Sequence, residues 1–370
     1  MAAFTLAAAK QLAQTRADEI AALFEQDDEK RFQYLGMHGW GGQSSVHRVA
    51  FRAPGGNDAD KQYLVMKTAG GTARADLANE KNALQGLRGC RHIVQIQNFY
   101  NDPIESSQPQ PSWAYIYLEL LENGTLDKFI RRYVQEKIDT QLPNRLLVIF
   151  FLCMIRSCIA MAWPGNSSLE MNETTFRTRL INETTLIHND IHGGNMMFGG
   201  KIEDDPEHSI APVLKLLDLG LATIGIGTPG EARQQNVMDM GIMMATIMCL
   251  IQGRKYSGEV IEIDLSTLIN GAKRVETPSS GILEDPDGIA NYSDPLPRID
   301  LTLRLIVAAC MATEPQNRPT LDYLENWIGT MSQRWDDNTF ADMKESKEGM
   351  SLIMQRCMFD APNPELPSWV

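Results

Sequence analysis

The chain lacks any CxxC cysteine pair. Its six cysteines are Cys90, Cys153, Cys158, Cys249, Cys310 and Cys357, and they stand mostly in apolar, helix-like stretches. A free thiol in such a stretch behaves as a small hydrophobe. No zinc site is expected from this spacing, and the thiols read as reduced and intracellular. Basic excess is also missing. The formal net charge of -13 argues against generic binding to nucleic acid or to an anionic membrane, both of which favour basic surfaces. It leaves open a phosphate-binding cleft, where a few local cations outweigh the total. Residues 1–20 show no charged start followed by an apolar block, so no secretory signal is expected. Because the first sixteen residues carry no acid, a mitochondrial presequence stays as the alternative to a surface helix. The apolar run 241–251 is too short to cross a bilayer. The run 146–163 contains Arg156 and Ser157 and reads as a buried helix. Without a signal, the sequons at Asn123, Asn166, Asn172, Asn182 and Asn291 carry no weight. The protein is therefore expected in the cytoplasm or nucleus, and no internal repeat is visible.

The 370 residues are enough for one large domain or two modest ones, with a core that needs no covalent staples. Helical composition covers 2–25. A glycine-rich stretch follows at 36–42, then strand-like segments at 46–51 and 63–68. Residues 73–88 read as a helix, with Leu77, Leu84 and Leu87 on one face. Apolar segments near 93–100 and 113–121 complete a strand-rich first third. Beyond Gly124 helical patterns dominate, at 125–136, 143–162, 237–252, 301–312 and 320–331. Polar insertions at 164–185 and 255–299 read as loops, partly mobile. Strands first and helices later point to an α+β protein.

Several short stretches carry chemistry. Gly39-Trp40-Gly41-Gly42-Gln43-Ser44-Ser45-Val46 is a turn whose glycines permit close approach of backbone N–H groups to phosphate. Val65-Met66-Lys67 ends an apolar strand in a cation, and Glu80 lies within the helix that follows. Read alone, Lys67 is a strand-end lysine in water and Glu80 a solvated helical glutamate. His188-Asn189-Asp190-Ile191-His192-Gly193-Gly194-Asn195 precedes Asp218-Leu219-Gly220, with Asp218 twenty-three residues after Asn195. Phosphoryl transfer is mostly positioning and electrostatics. It needs a carboxylate to orient the acceptor hydroxyl and oxygen ligands for Mg²⁺. Asp190, Asn195 and Asp218 would supply that set, although each segment alone also reads as a simple turn.

In order and spacing these stretches resemble the protein kinase superfamily over about residues 34–330. Gly39-x-Gly41-x-x-Ser44-x-Val46 resembles G-x-G-x-x-G-x-V, and Val65-Met66-Lys67 resembles V-A-I-K. Glu80 with Leu84, Leu87 and His92-Ile93-Val94 resembles the αC helix and its exit. Leu118 to Leu126 resembles the gatekeeper, the hinge and the next helix start. His188-Asn189-Asp190 to Asn195 resembles H-R-D-x-x-x-x-N, Asp218-Leu219-Gly220 resembles D-F-G, and the run from Cys310 to Thr320 resembles the late signature ending in R-P.

The resemblance implies a two-lobed fold. Residues 31–121 would form a β-rich lobe and 122–330 a helical lobe, with an N-terminal helical extension over 1–30 and a tail over 331–370. It implies ATP and Mg²⁺ as cofactors. Lys67 would hold the α/β-phosphates and pair with Glu80. Asp190 would position the acceptor, and Asn195 and Asp218 would bind Mg²⁺. Backbone at Glu119 and Leu121 would meet the adenine, and Val46, Val65 and Met197 would sandwich it. Gly39, Gly41 and Ser44 would cover the phosphates. Leu84, Ile96, Leu219 and His188 would stack as an internal spine.

Departures from the family pattern are informative. Asn189 replaces its Arg. His192 replaces its Lys beside the transferred phosphate, a habit of small-molecule kinases. No A-P-E is present, and Asn236 stands where an Asp is usual. Glu231 is the candidate partner for Arg318, at an unusual spacing. Three readings follow: a Ser/Thr-directed protein kinase, a small-molecule kinase, and an inactive binding scaffold.

Overall fold

The computed structural model describes residues 6–41, 43–165, 171–176, 182–205, 207–266, 268, 274–283 and 294–359. Gly42, the sequons at Asn166 and Asn291, the last residues of the tail and parts of both polar insertions lie outside that set. The protein is a mixed α+β structure.

Its main sheet is antiparallel and five-stranded. It contains β1 (Phe32–Gly41), β2 (Ser44–Phe51), β3 (Gln62–Ala69), β4 (Ile96–Gln97) and β5 (Ala114–Glu119), in the order β1-β2-β3-β5-β4. Side chains alternate across such a sheet. Leu64 and Met66 of β3 and Tyr117 of β5 face one side, in a small apolar core with Phe32, Val49, Ile104 and Trp113. Helix α1 (Leu6–Glu25) closes that side with Ile20 and Phe24. Val65, Ile116 and Leu118 belong to the other, larger core, so Lys67 takes the Val65 side by parity. Helix α2 (Ala73–Gly86) lies there against β3 and β5.

The larger core is built around α4 (Asn144–Ala162), buried at every position but Arg145. This helix is long and apolar enough to cross a membrane by length and composition. Here it packs against α5 (Pro229–Met248), α7 (Leu321–Arg334) and β7 (Leu214–Leu216), as its reading as a buried helix anticipates. Helices α3 (Leu126–Gln135) and α6 (Leu301–Cys310) fall where periodicity puts them.

Four elements depart from the sequence reading. β1 begins at Phe32 and runs into the glycine-rich stretch, with register shifts between Tyr34 and Gly36 and between Met37 and Gly39. Helix α5 begins at Pro229, not near 237. Thr228 caps it, and Glu231 closes a capping box back onto Thr228. Part of the 255–299 insertion is a hairpin, β8 (Ile261–Asp264) with β9 (Arg274–Thr277), rather than loop. The tail holds a short helix, α8 (Lys347–Met354).

Candidate functional site

β6 (Met196–Phe198) and β7 pair antiparallel, with Met196 opposite Leu216. The chain entering β6 and the chain leaving β7 therefore emerge side by side. That juxtaposition joins the loop 188–195 to the turn at 217–220. Two hydrogen bonds seal it, one between backbone groups and one from a side chain. The Leu217 N–H donates to the Asn195 carbonyl at 2.9 Å, and the His188 Nε2–H donates to the Leu217 carbonyl at 2.8 Å. His188 is fully buried, and burial holds its pKa below the ordinary value. Its Nδ1 is then free to accept from the Asp190 N–H at 3.2 Å.

Two residues here adopt the left-handed region, Asn189 at φ 65° and Asp218 at φ 57°. Asn and Asp tolerate it better than most side chains. The Asn189 amide donates to the Leu221 carbonyl at 2.9 Å and to Thr223 Oγ1 at 3.1 Å. The loop seats on the start of α3 with little spare room: a Cβ on Gly193 would lie 2.0 Å from Asp127 Oδ1.

Lys67 bridges to this turn from the sheet. Its Nζ donates to Glu80 Oε2 at 2.7 Å and to Asp218 Oδ1 at 2.9 Å. Glu80 occupies the buried stripe of α2 with Leu77, Ala83 and Leu84 and is 1% exposed. A solvated-face reading is thus excluded for it. Burial opposes the charge on Lys67, but Glu80 and Asp218 outweigh it and raise its pKa. Burial raises the Glu80 carboxyl, and Lys67 offsets only part of that. Burial also works to raise Asp218, where the Lys67 ammonium prevails and holds the carboxyl below its ordinary range.

Asp190 and Asn195 meet directly. The Asn195 amide donates to the Asp190 carbonyl at 3.0 Å and to Asp190 Oδ2 at 3.1 Å. With its NH₂ so used, the Asn195 side-chain oxygen is the atom left to accept a cation. His192 Nδ1 accepts from the Gly194 N–H at 3.0 Å, so Nε2 carries the ring proton. That nitrogen lies 3.4 Å from Asp190 Oδ2.

The remaining sequence-derived residues surround this centre. Val46 is opposite Lys67 on the neighbouring strand, and Val65 is opposite Leu118. Met197 pairs with Lys215 across the β6–β7 hairpin, and Lys215 reaches Glu119 Oε1 at 2.6 Å. The Glu119 N–H is taken by the Gln95 carbonyl at 2.9 Å, whereas the Leu121 N–H meets no acceptor among the described residues. Gly39 and Gly41 pair with Val46 and Ser44 in the β1–β2 hairpin. A Cβ on either glycine would touch nothing within 4 Å, so the space they leave is not filled by protein. Leu84, Ile96, Leu219 and His188 are all buried.

Asn236 is buried and accepts from the His188 N–H at 3.1 Å while donating to the Leu186 carbonyl at 2.9 Å. The suggested Glu231–Arg318 pair is not formed. Arg318 donates to the carbonyls of Ala312, Gln234 and Thr313, and Glu231 is engaged by Thr228.

Two contributors escaped the sequence reading. The Asn79 amide donates to the carbonyls of Ala222, Gly220 and Leu219, at 2.7, 3.0 and 3.4 Å, and so ties α2 to the Asp218 turn. Its only sequence signal is its place beside Glu80. Lys255 brings Nζ to 4.0 Å from Asp190 Oδ1. It sits at the head of the 255–299 insertion, where nothing in the sequence links it to Asp190. The surface also carries concavities elsewhere, such as one of about 410 Å³ between the start of α5 and Pro315–Leu321, which gathers none of these groups. No protein-family model and no curated protein matches this chain.

Proposed function

We propose that this chain is an ATP- and Mg²⁺-dependent phosphotransferase of the protein-kinase type. It would have two lobes joined near Glu119–Leu121 and a Ser or Thr hydroxyl as acceptor. The observation that carries the reading is the Lys67 ammonium, shared between Glu80 at 2.7 Å and Asp218 at 2.9 Å. Three distant chain segments converge there on one cation beside a partly exposed carboxylate.

The residues fit the groups they would hold. Asp218 keeps one carboxylate oxygen beyond its bond to Lys67, and Asn195 keeps its amide oxygen. Hard oxygen donors of this kind suit Mg²⁺. The open space beside Gly39 and Gly41 suits phosphate, and the uncommitted Leu121 N–H suits an adenine ring nitrogen. When bound, Mg²⁺ would neutralise charge on the phosphate oxygens.

The chain's own groups divide the remaining work. Lys67 would bind phosphate oxygens, and Glu80 would keep its ammonium aimed. Asp190 would accept a hydrogen bond from the acceptor hydroxyl, orient it for in-line attack and take its proton. Asn195 braces Asp190 through the 3.1 Å bond. His192 offers its Nε2–H on one side of Asp190 and Lys255 its ammonium on the other. Lys255 would supply the permanent cation that His192 does not.

One observation favours a small-molecule acceptor instead. Only Leu219 to Thr228 separate Asp218 from α5, a narrow platform for an extended peptide. Purified protein supplied with ATP, Mg²⁺, a panel of Ser/Thr peptides and a panel of hydroxylated metabolites tests both readings. Transfer to peptides at Ser or Thr is the expected result. Transfer to a metabolite alone replaces the acceptor and keeps the residue roles. Absence of both transfer and ATP binding overturns the proposal.

A further inference from the structure

Away from this centre, His92, Cys153 and His208 come together, each buried. Their ligand atoms all lie within 4.8 Å of one another. The three belong to separate parts of the chain. His92 follows α2, Cys153 is inside α4, and His208 lies between β6 and β7. Their spacing, over more than a hundred residues, explains why a search for neighbouring cysteines does not find them.

We propose that these three side chains form a structural site for one divalent transition-metal ion of the Zn²⁺ class. The nitrogen geometry supports this. His92 Nε2 and His208 Nε2 are 3.2 Å apart, and two nitrogens at tetrahedral zinc bond lengths stand about 3.3 Å apart. The tautomer is also set. His92 Nδ1 bonds the Glu173 carboxylate, which turns the Nε2 lone pair inward. A carboxylate behind a ligating imidazole is a recurrent support of zinc sites. Glu173 receives the His92 N–H as well, at 3.0 Å.

A hydrogen-bonded histidine pair is the competing account of the 3.2 Å contact. It gives Cys153 no part. A metal gives Cys153 its part. Burial, only partly opposed by the Leu214 backbone, keeps Cys153 a thiol in the absence of an ion, and a bound zinc would deprotonate it outright. Zinc-to-sulfur bonding places sulfur about 3.6 Å from each nitrogen, and Cys153 Sγ lies within 4.8 Å of both. Charge balances too: one divalent ion, one thiolate and the Glu173 carboxylate sum to zero. The surrounding ions are already paired, Arg91 with Asp205 at 2.5 Å and Arg156 with Glu207 at 2.9 Å.

The test uses the full chain, with Zn²⁺ and Co²⁺ as probes. Metal analysis after dialysis should find about one zinc per chain, bound through ligands that fold together. Chelation should lower Tm, and added Zn²⁺ should restore it. The Co²⁺-loaded protein should show a thiolate-to-cobalt absorption band that Cys153→Ser abolishes. Glu173→Gln should weaken affinity about 10–100-fold. If the Cys153 variant does not fold, the chelation and restoration of the unaltered chain decide the matter. A Tm indifferent to both chelator and Zn²⁺ overturns the site. So does a cobalt band that persists in a folded Cys153→Ser protein, or retention of copper(I) alone.

Discussion

At the residue scale the account turns on a buried carboxylate and its single cation. Glu80 is 1% exposed, and Lys67 is its ion-pair partner. Lys67→Met should cut phosphoryl transfer by on the order of 10²–10³, the usual loss for one transition-state charge contact. It should also destabilise the fold, because breaking a buried pair from one side costs about 3–5 kcal/mol. The pH dependence has a definite sign. The folded-state Glu80 pKa already lies above its ordinary value, and loss of Lys67 moves it higher. A raised carboxyl pKa gives stability that is present at low pH and lost as pH rises through the folded value. The Tm gap between variant and parent should therefore be smaller at pH 5 than at pH 8; a gap independent of pH would remove Glu80 from the explanation. Lys255→Ala should lower the transfer rate while leaving ATP affinity unchanged, since Lys255 faces Asp190 and not Lys67. An unchanged rate would assign Lys255 to solvent. Of these groups, the sequence signalled Lys67, Asp190, Asn195 and Asp218 through their spacing. Lys255 had no such signal, because a loop residue reveals nothing of which carboxylate it approaches.

At the element scale the short segment from Asp218 to α5 is held by neutral groups. Asn189 grips Leu221 and Thr223, Asn79 grips the carbonyls of 219–222, and Thr228 caps the helix. No phosphate is needed to order a segment fastened this way. Activity should therefore survive Thr223→Ala combined with Thr228→Asn within a few-fold, since Asn caps a helix at least as well as Thr and offers no hydroxyl to phosphorylate. Thr228→Ala is a poorer probe, because loss of a Thr cap costs about 1 kcal/mol by itself. Complete loss of activity in the Thr223→Ala, Thr228→Asn protein, restored by acidic residues, would show that the segment needs charge. The start of α5 was legible in principle. Thr228-Pro229-Gly230-Glu231 has the capping-box spacing with Pro in the first turn, but the polar run to Gln235 hid it from an apolar-periodicity reading. The β8–β9 hairpin was legible in the same sense, since Ile261 and Ile263 alternate with acids. β1 was not, because its glycines suit a turn as well as an irregular strand.

At the scale of the whole molecule, α1 is a working part of the sheet and more than a surface helix. Ile20 and Phe24 close the small core, and Arg16 donates to the Gln43 carbonyl at 2.7 Å beside the glycine-rich turn. Gln43 in turn accepts from the Thr72 N–H at 2.8 Å, at the head of α2. A chain beginning at residue 27 would expose that core, at about 1.5–3 kcal/mol for each large side chain withdrawn. Its Tm should fall well below that of the full chain; an unchanged Tm would make α1 dispensable. The helical composition of 2–25 announced the helix. Its partner could not be read, because an apolar stripe does not say which surface it covers. The architecture thus brings a sheet, a helix and a turn to one ammonium and two carboxylates. The most direct test of the central claim is calorimetric titration with ATP, in the presence and absence of Mg²⁺, on the parent and on Asp218→Asn. The account predicts that Mg²⁺ tightens ATP binding to the parent and that Asp218→Asn loses most of that gain while metal-free binding changes little. Absence of ATP binding to the parent under both conditions, or an equal effect of Asp218→Asn with and without Mg²⁺, would contradict it.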